Sequence, residues 1–194
     1  MEVETGKVLA WASYPTFDQN EHKEIPSYQD AISTSTYEPG SVMKPFTYAT
    51  AIDTNVYPYN KTYVSYQFWY DYDASTGKIT RLPIGTNSPY PYIADALDEN
   101  FGEITFDQGL AFSSNVAICE LLANYINYSQ YSKYLDAFGF FQKVNTPYVD
   151  QSLGVKNIGL PTDYLSTGFG QASSITVLQL CQAYTAIFND GTMV

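Results

Sequence analysis

Two capping boxes constrain this chain more than any other feature. Thr105 with Gln108, and Thr176 with Gln179, stand three residues apart. In such a pair the hydroxyl accepts from a first-turn N–H while the amide reaches back to the cap. After the second box, Val177, Leu180, Cys181, Tyr184 and Ile187-Phe188 recur at helical spacing, with a stop expected near Asn189-Asp190-Gly191. The first box opens a helix that Ser113-Ser114-Asn115 should break, because these side chains compete for backbone hydrogen bonds. A helix follows through Val116, Cys119, Leu122 and Ile126, and another covers 130–138. Ser41 to Asp53 repeats the pattern with Val42, Phe46, Ala49 and Ile52, launched by the turn Tyr37-Glu38-Pro39-Gly40.

The remaining chain is less regular. Thr5-Gly6-Lys7 reads as a tight turn and Val8–Ser13 as a strand after it. Residues 56–100 are rich in Tyr, Pro and Gly and are expected to run over the surface, with one hairpin around Asp73–Lys78. Thr192-Met193-Val194 resembles the beginning of a strand. Both ends are abrupt, so residues 1–194 are expected to be one domain, or part of one, cut from a longer protein.

Charge and composition remove several classes. Nine Lys+Arg against 20 Asp+Glu give a net charge of -11, which argues against nucleic acid or an anionic membrane as partner. A hydrophobic content of 45% argues against disorder. No stretch approaches the ~20 apolar residues of a membrane span, and Glu2 and Glu4 are wrong for a secretory signal. One His and two Cys cannot build a multi-His or four-Cys metal centre, and no cofactor is expected. Cys119 and Cys181 lie on apolar helical stretches and are expected as buried free thiols. Gly168 and Gly170 are a lone pair, too little for a nucleotide loop. The nineteen Tyr are expected to cover helices with one wet end.

A nucleophilic serine needs a base. His22, in the charged run Asn20–Glu24, is expected to be a solvated loop residue. The alternative base is a neutral lysine. Ser41-Val42-Met43-Lys44 supplies one: residue i+3 lies one helical turn on, on the same face. The plain reading of the pair is a helix cap and an exposed lysine. A second S-x-x-K, Ser75–Lys78, sits in a polar turn and is expected to be accidental. Ser113 could relay a proton and Asn115 could hold a substrate amide, although a simple cap explains them equally well.

Taken together these segments resemble the transpeptidase domain of class B penicillin-binding proteins. S-x-x-K with S-x-N is part of the signature shared with serine β-lactamases. Glu4–Asp18 is similar to the family's first strand and loop, Tyr37–Phe46 to the nucleophile segment, Phe112–Ala117 to the S-x-N segment, and Gly168–Gln171 to its glycine-bearing loop. The resemblance implies an α/β (α+β) fold, mostly the helical part with an incomplete antiparallel sheet. It implies that Ser41 is acylated, Lys44 is the base, Ser113 carries the proton to the leaving amine, and Asn115 and Gln171 contact substrate. The implied partners are peptidoglycan stem peptides, β-lactams, and cell-division or elongation proteins met through other parts of the protein. The implied location is the outer side of the bacterial cell membrane, with an N-terminal anchor.

One departure stands out: K-[ST]-G, the third motif, is absent from the sequence, Lys61-Thr62-Tyr63 being the nearest miss. A weakly active or inactive piece is therefore expected. The alternatives are a non-catalytic penicillin-sensing or wall-binding domain, or a β-lactamase, for which no convincing second carboxylate base stands between Ser113 and Gly168.

Overall fold

The computed structural model describes residues 1–16, 18, 20–21, 27–147 and 149–194. His22 and Phe17 lie outside the described residues. In chain order the elements are α1 (Ala31–Thr34), β1 (Thr36–Tyr37), a 3-10 turn (Gly40–Met43), α2 (Lys44–Asp53), β2 (Thr62–Val64), β3 (Gln67–Asp73) and β4 (Lys78–Leu82). There follow β5 (Ile93–Ala94), a 3-10 turn (Ala96–Asp98), β6 (Glu103–Thr105), α3 (Phe106–Ala111), α4 (Asn115–Asn124), α5 (Tyr128–Ala137), α6 (Pro161–Gly168), β7 (Ile175–Thr176) and α7 (Val177–Phe188). The strands pair antiparallel as β1-β7, β2-β6 and β4-β3-β5. This is the mixed α/β class with short antiparallel sheets that the resemblance implies.

The chain forms two compact units. One comprises Met1–Tyr37, Asp136–Lys156 and Ser174–Val194, and the other Glu38–Leu135 and Asn157–Ser173.

In the second unit α4 is the core helix. Val116, Ala117, Ile118, Cys119 and Leu121 have no exposed surface, as expected for a helix apolar on every side. It packs against α2, α3, α6 and the sheet strands β4 and β5. The approach of α6 requires a glycine, since a Cβ on Gly168 would stand 2.5 Å from both Ile118 Cγ2 and Leu122 Cδ1. Truncating Leu121 to Ala would leave a cavity costing ~2–5 kcal/mol. The hairpin expected at 73–78 is β3-β4. The Asp73 carboxylate accepts from Ser75 N, Ser75 Oγ and Thr76 Oγ1, and Gly77 takes the left-handed conformation, φ +72°. The sheet is tied to α4 by the Arg81–Glu120 ion pair, and Arg81 also donates to Val64 O and Gln67 O.

In the first unit β1-β7 leads directly into α7, whose capping box Thr176/Gln179 is present. Buried Gln179 also donates to Gln142 O and Leu153 O, anchoring two loops to the helix start. Three expectations fail in this unit. Val8–Ser13 pairs with no strand among the described residues. Instead Trp11 Nε1 and Ser13 Oγ donate to Asp30, which caps α1, so side chains rather than a ladder hold the segment. Residues 192–194 form no strand either: Thr192 N donates to Asn189 O and Val194 N to Thr185 Oγ1, folding the tail onto α7. Cys181 is a free thiol but exposed, because it lies on the outward side of α7; Cys119 is free and buried, as expected.

Candidate active site

The site lies in the second unit, where a 3-10 turn, α2, the corner before α4 and the Gly168–Gln171 loop supply the side chains. Pro39 has φ -67° and Gly40 φ +67°, a pairing that closes the chain into the tight turn holding Ser41. In a 3-10 turn residues i and i+3 eclipse one another, so Ser41 and Lys44 occupy one face. Ser41 is exposed; Lys44, the first residue of α2, is 2% exposed. Pro45 follows it without cost because the first-turn N–H groups lack helical partners anyway.

The turn is braced by the glycine-bearing loop. Gly40 N donates to Gly170 O at 2.8 Å, and Ala172 N donates to Glu38 Oε1 at 2.8 Å. A Cβ on Gly170 would lie 1.9 Å from Gly40 O, and Gly170 has φ +91°. Only glycine satisfies both constraints. Gln171 is exposed and follows Gly170 directly, as Ser41 follows Gly40.

Lys44 Nζ donates to Ser113 Oγ at 3.0 Å and also to Ser113 O. No hydrogen bond among the described residues joins it to Ser41 Oγ. Burial drives the Lys44 amine down to about 8, against the opposing pull of the Asp95 charge. The amine is thus neutral to roughly one tenth at pH 7, and the neutral form is the one that a base acting on a hydroxyl requires. The accidental S-x-x-K differs in every respect: Ser75 and Lys78 are exposed, and Ser75 Oγ is committed to Asp73.

Ser113 sits at the break between α3 and α4 with φ +57°, a left-handed conformation that a serine adopts only when its surroundings enforce it. Its N–H donates to Leu110 O. Ser114 caps α4 through Ala117 N at 3.0 Å, so the capping role falls on Ser114 and Ser113 is left to Lys44. Asn115 Nδ2 donates to Ala94 O at 2.9 Å, which fixes the amide at the end of β5. The fold thus gathers Lys44, Ser113 and Asn115, with Ser41 one turn from Lys44 and Gln171 beside the glycine contact.

Two contributors escape sequence reasoning. Asp95 is 3% exposed and accepts from Val116 N at 3.0 Å and Tyr66 N at 3.2 Å; in sequence it is one acid in a polar run. Glu38 reads as a turn residue until its partner Ala172, 134 positions away, is known. A separate cavity of about 620 Å³ in this unit is lined by Tyr72, Lys78, Asn124, Tyr128 and Tyr164 among others, and touches none of the five candidate residues.

The fold matches solved structures of penicillin-binding protein transpeptidase domains. The apo transpeptidase domain of Burkholderia pseudomallei penicillin-binding protein 3 aligns with TM-score 0.66 at 23% identity, over 84% of this chain and 45% of that one. A chain from Atopobium parvulum described as a peptidoglycan glycosyltransferase aligns with TM-score 0.78 at 26% identity, over 100% of this chain and 42% of that one. Over residues 1–194 the sequence matches the penicillin-binding protein transpeptidase domain, and the chain belongs to that family. Curated relatives include a peptidoglycan D,D-transpeptidase FtsI homolog of Mesostigma viride, 29% identical over 98% of this chain and 31% of the relative. Another is a probable peptidoglycan D,D-transpeptidase PenA of Neisseria flavescens, 25% identical over 100% and 44%. The stage V sporulation protein D of Bacillus subtilis is 27% identical over 100% and 28%. The chain thus spans between about a quarter and under half the length of these relatives.

Proposed function

We propose that the protein is a peptidoglycan D,D-transpeptidase working through a serine acyl-enzyme. The observation that carries this reading is the buried Lys44 amine hydrogen-bonded to Ser113, one turn from an exposed Ser41. Lys44 in its neutral form takes the Ser41 proton as Ser41 Oγ attacks the penultimate D-Ala carbonyl of a stem peptide. Ser113 passes the proton to the departing D-Ala amine, and the acyl group then moves from Ser41 to the amine of a neighbouring strand. Asn115 orients the peptide, Gln171 contacts it at the rim, and the Ser41 N–H supplies an oxyanion donor. β-Lactams acylate the same hydroxyl. The work is done on the outer side of the cell membrane. Among the described residues no helix is long and apolar enough to cross it.

Because K-[ST]-G does not occur in residues 1–194, a protein of these residues alone lacks that motif's carboxylate-binding groups and second oxyanion donor. Loss of one such donor typically costs ~10²–10³ in rate, so residues 1–194 alone are expected to act poorly. The test uses the intact protein as its cell makes it, with a synthetic stem peptide ending in D-Ala-D-Ala and an acceptor amine. D-Ala release with cross-linked product, both abolished by Ser41→Ala, is expected. Unchanged turnover by Ser41→Ala would overturn the assignment.

A further inference from the structure

The same unit holds a buried acid, Asp95, that the mechanism above does not use. Asp95 directly follows β5 and is 3% exposed. One carboxylate oxygen, Oδ1, accepts from Val116 N at 3.0 Å, and the other, Oδ2, accepts from Tyr66 N at 3.2 Å. The preceding residue, Ala94, holds the Asn115 side chain through its carbonyl. Two adjacent residues therefore pin the beginning of α4 twice, one through the amide of Asn115 and one through the backbone of Val116. The loop after Asp95 is itself tightly wound, with Leu97 and Asp98 both at positive φ.

A carboxylate this deeply buried needs compensation. Two N–H donors and the helix start supply part of it. Asp95 also acts electrostatically on the Lys44 amine, opposing the effect of burial. The other groups that face this pair are few. Cys119 from α4 faces Lys44, and Tyr48 from α2, Tyr63 from β2 and Cys119 feel Asp95. Burial pushes all three of these groups up, so they stay neutral at ordinary pH.

We propose that Asp95 is the positioning residue of this site, fixing the Ser113–Asn115 corner through its backbone hydrogen bonds while holding a negative charge against the Lys44 ammonium. The inference rests on the reading of Lys44 as base. When the proton moves from Ser41 Oγ to Lys44 Nζ, a cation forms in a buried site, and Asp95 stabilises that cation as it forms. Burial alone would make Lys44 neutral but too weak a base; Asp95 keeps its basicity matched to the hydroxyl it must deprotonate.

The experiment follows β-lactam acylation of the intact protein against pH for wild type, Asp95→Asn and Asp95→Glu, alongside ¹³Cε-lysine NMR of Lys44. In Asp95→Asn the midpoints of both the rate and the Lys44 titration should fall by about one pH unit, and the high-pH rate should fall several-fold. Asp95→Glu, which keeps the charge, should leave the midpoint near that of wild type. A folded Asp95→Asn variant with an unmoved Lys44 midpoint overturns the proposal, as does an equal shift in both variants. Should Asp95→Asn fail to fold, the wild-type protein decides: the Asp95 ¹³Cγ resonance must step at the pH where Lys44 titrates, and a flat trace overturns the proposal. If wild type is not acylated at all, the function reading fails, while the NMR titration still decides the role of Asp95.

Discussion

Lys44 Nζ reaches Ser113 Oγ at 3.0 Å across 69 positions of sequence. The contact joins the first residue of α2 to the residue before the cap of α4, so the packing of these two helices sets the geometry of the proton path. It depends on features far from any catalytic atom, among them Gly168 where α6 meets α4.

The acylation rate should follow the neutral fraction of Lys44. With the amine near 8, that fraction is roughly one tenth at pH 7 and falls about tenfold per unit below it. Stopped-flow acylation by a fluorescent penicillin should therefore rise with pH and level off above about 8. The same group has a stability signature. Its folded value lies below its unfolded value of about 10.4, so the folded state binds fewer protons and this contribution to stability increases as pH rises from about 8 towards 10.

Ser113→Ala removes the side-chain oxygen of the two Ser113 oxygens that Lys44 Nζ meets, while leaving the backbone O and the α4 cap, Ser114, intact. Acylation should fall by about 10²–10⁴, the usual range for losing a proton-transfer partner. The thermal midpoint should move little. A large loss of stability with residual full-rate acylation would contradict the assigned role.

Gly170→Ala forces a methyl group to within 1.9 Å of Gly40 O at a backbone of φ +91°. The loop or the Ser41 turn must give way, at ~2–4 kcal/mol of stability. Chemical denaturation should register the loss, and acylation should drop with it because the displaced turn carries the nucleophile.

Asp30 offers a control in the other unit. Burial alone would raise its carboxyl, but hydrogen bonds from Ser33, Trp11 and Ser13 outweigh this and hold it below its ordinary value. A depressed carboxylate contributes stability above its unfolded value near 3.9 and loses that contribution as pH falls through the folded value. Asp30→Ala, which also removes the α1 cap, should cost about 1–2 kcal/mol. Circular dichroism against temperature at pH 7 and pH 3 should show the wild type–variant gap shrinking at the lower pH.

How much of this was legible in sequence depends on whether the signal is local. The capping boxes of α3 and α7 and the Asp73–Lys78 turn are written within four to six residues, and all form as read. The helix α6 gives no such notice: its cap position is Leu160, without a side-chain hydrogen bond. Val8–Ser13 has the apolar content of a strand, but pairing needs a partner, and Asp30 claims its Trp and Ser instead. In the site, spacing suggests Ser41 with Lys44, the polar break between helices suggests Ser113 and Asn115, and the resemblance adds Gln171. That Lys44 is buried, that Ser114 rather than Ser113 caps the helix, and that buried Asp95 accepts from Val116 N and Tyr66 N are features of the folded structure which no spacing carries.

The most direct measurement is the intact mass of the whole protein after incubation with benzylpenicillin, followed by peptide mapping. A single added penicilloyl group is expected on the Ser41 peptide, absent in Ser41→Ala and slow to form in Ser113→Ala. An adduct on any other residue, or none on a folded protein, would contradict it.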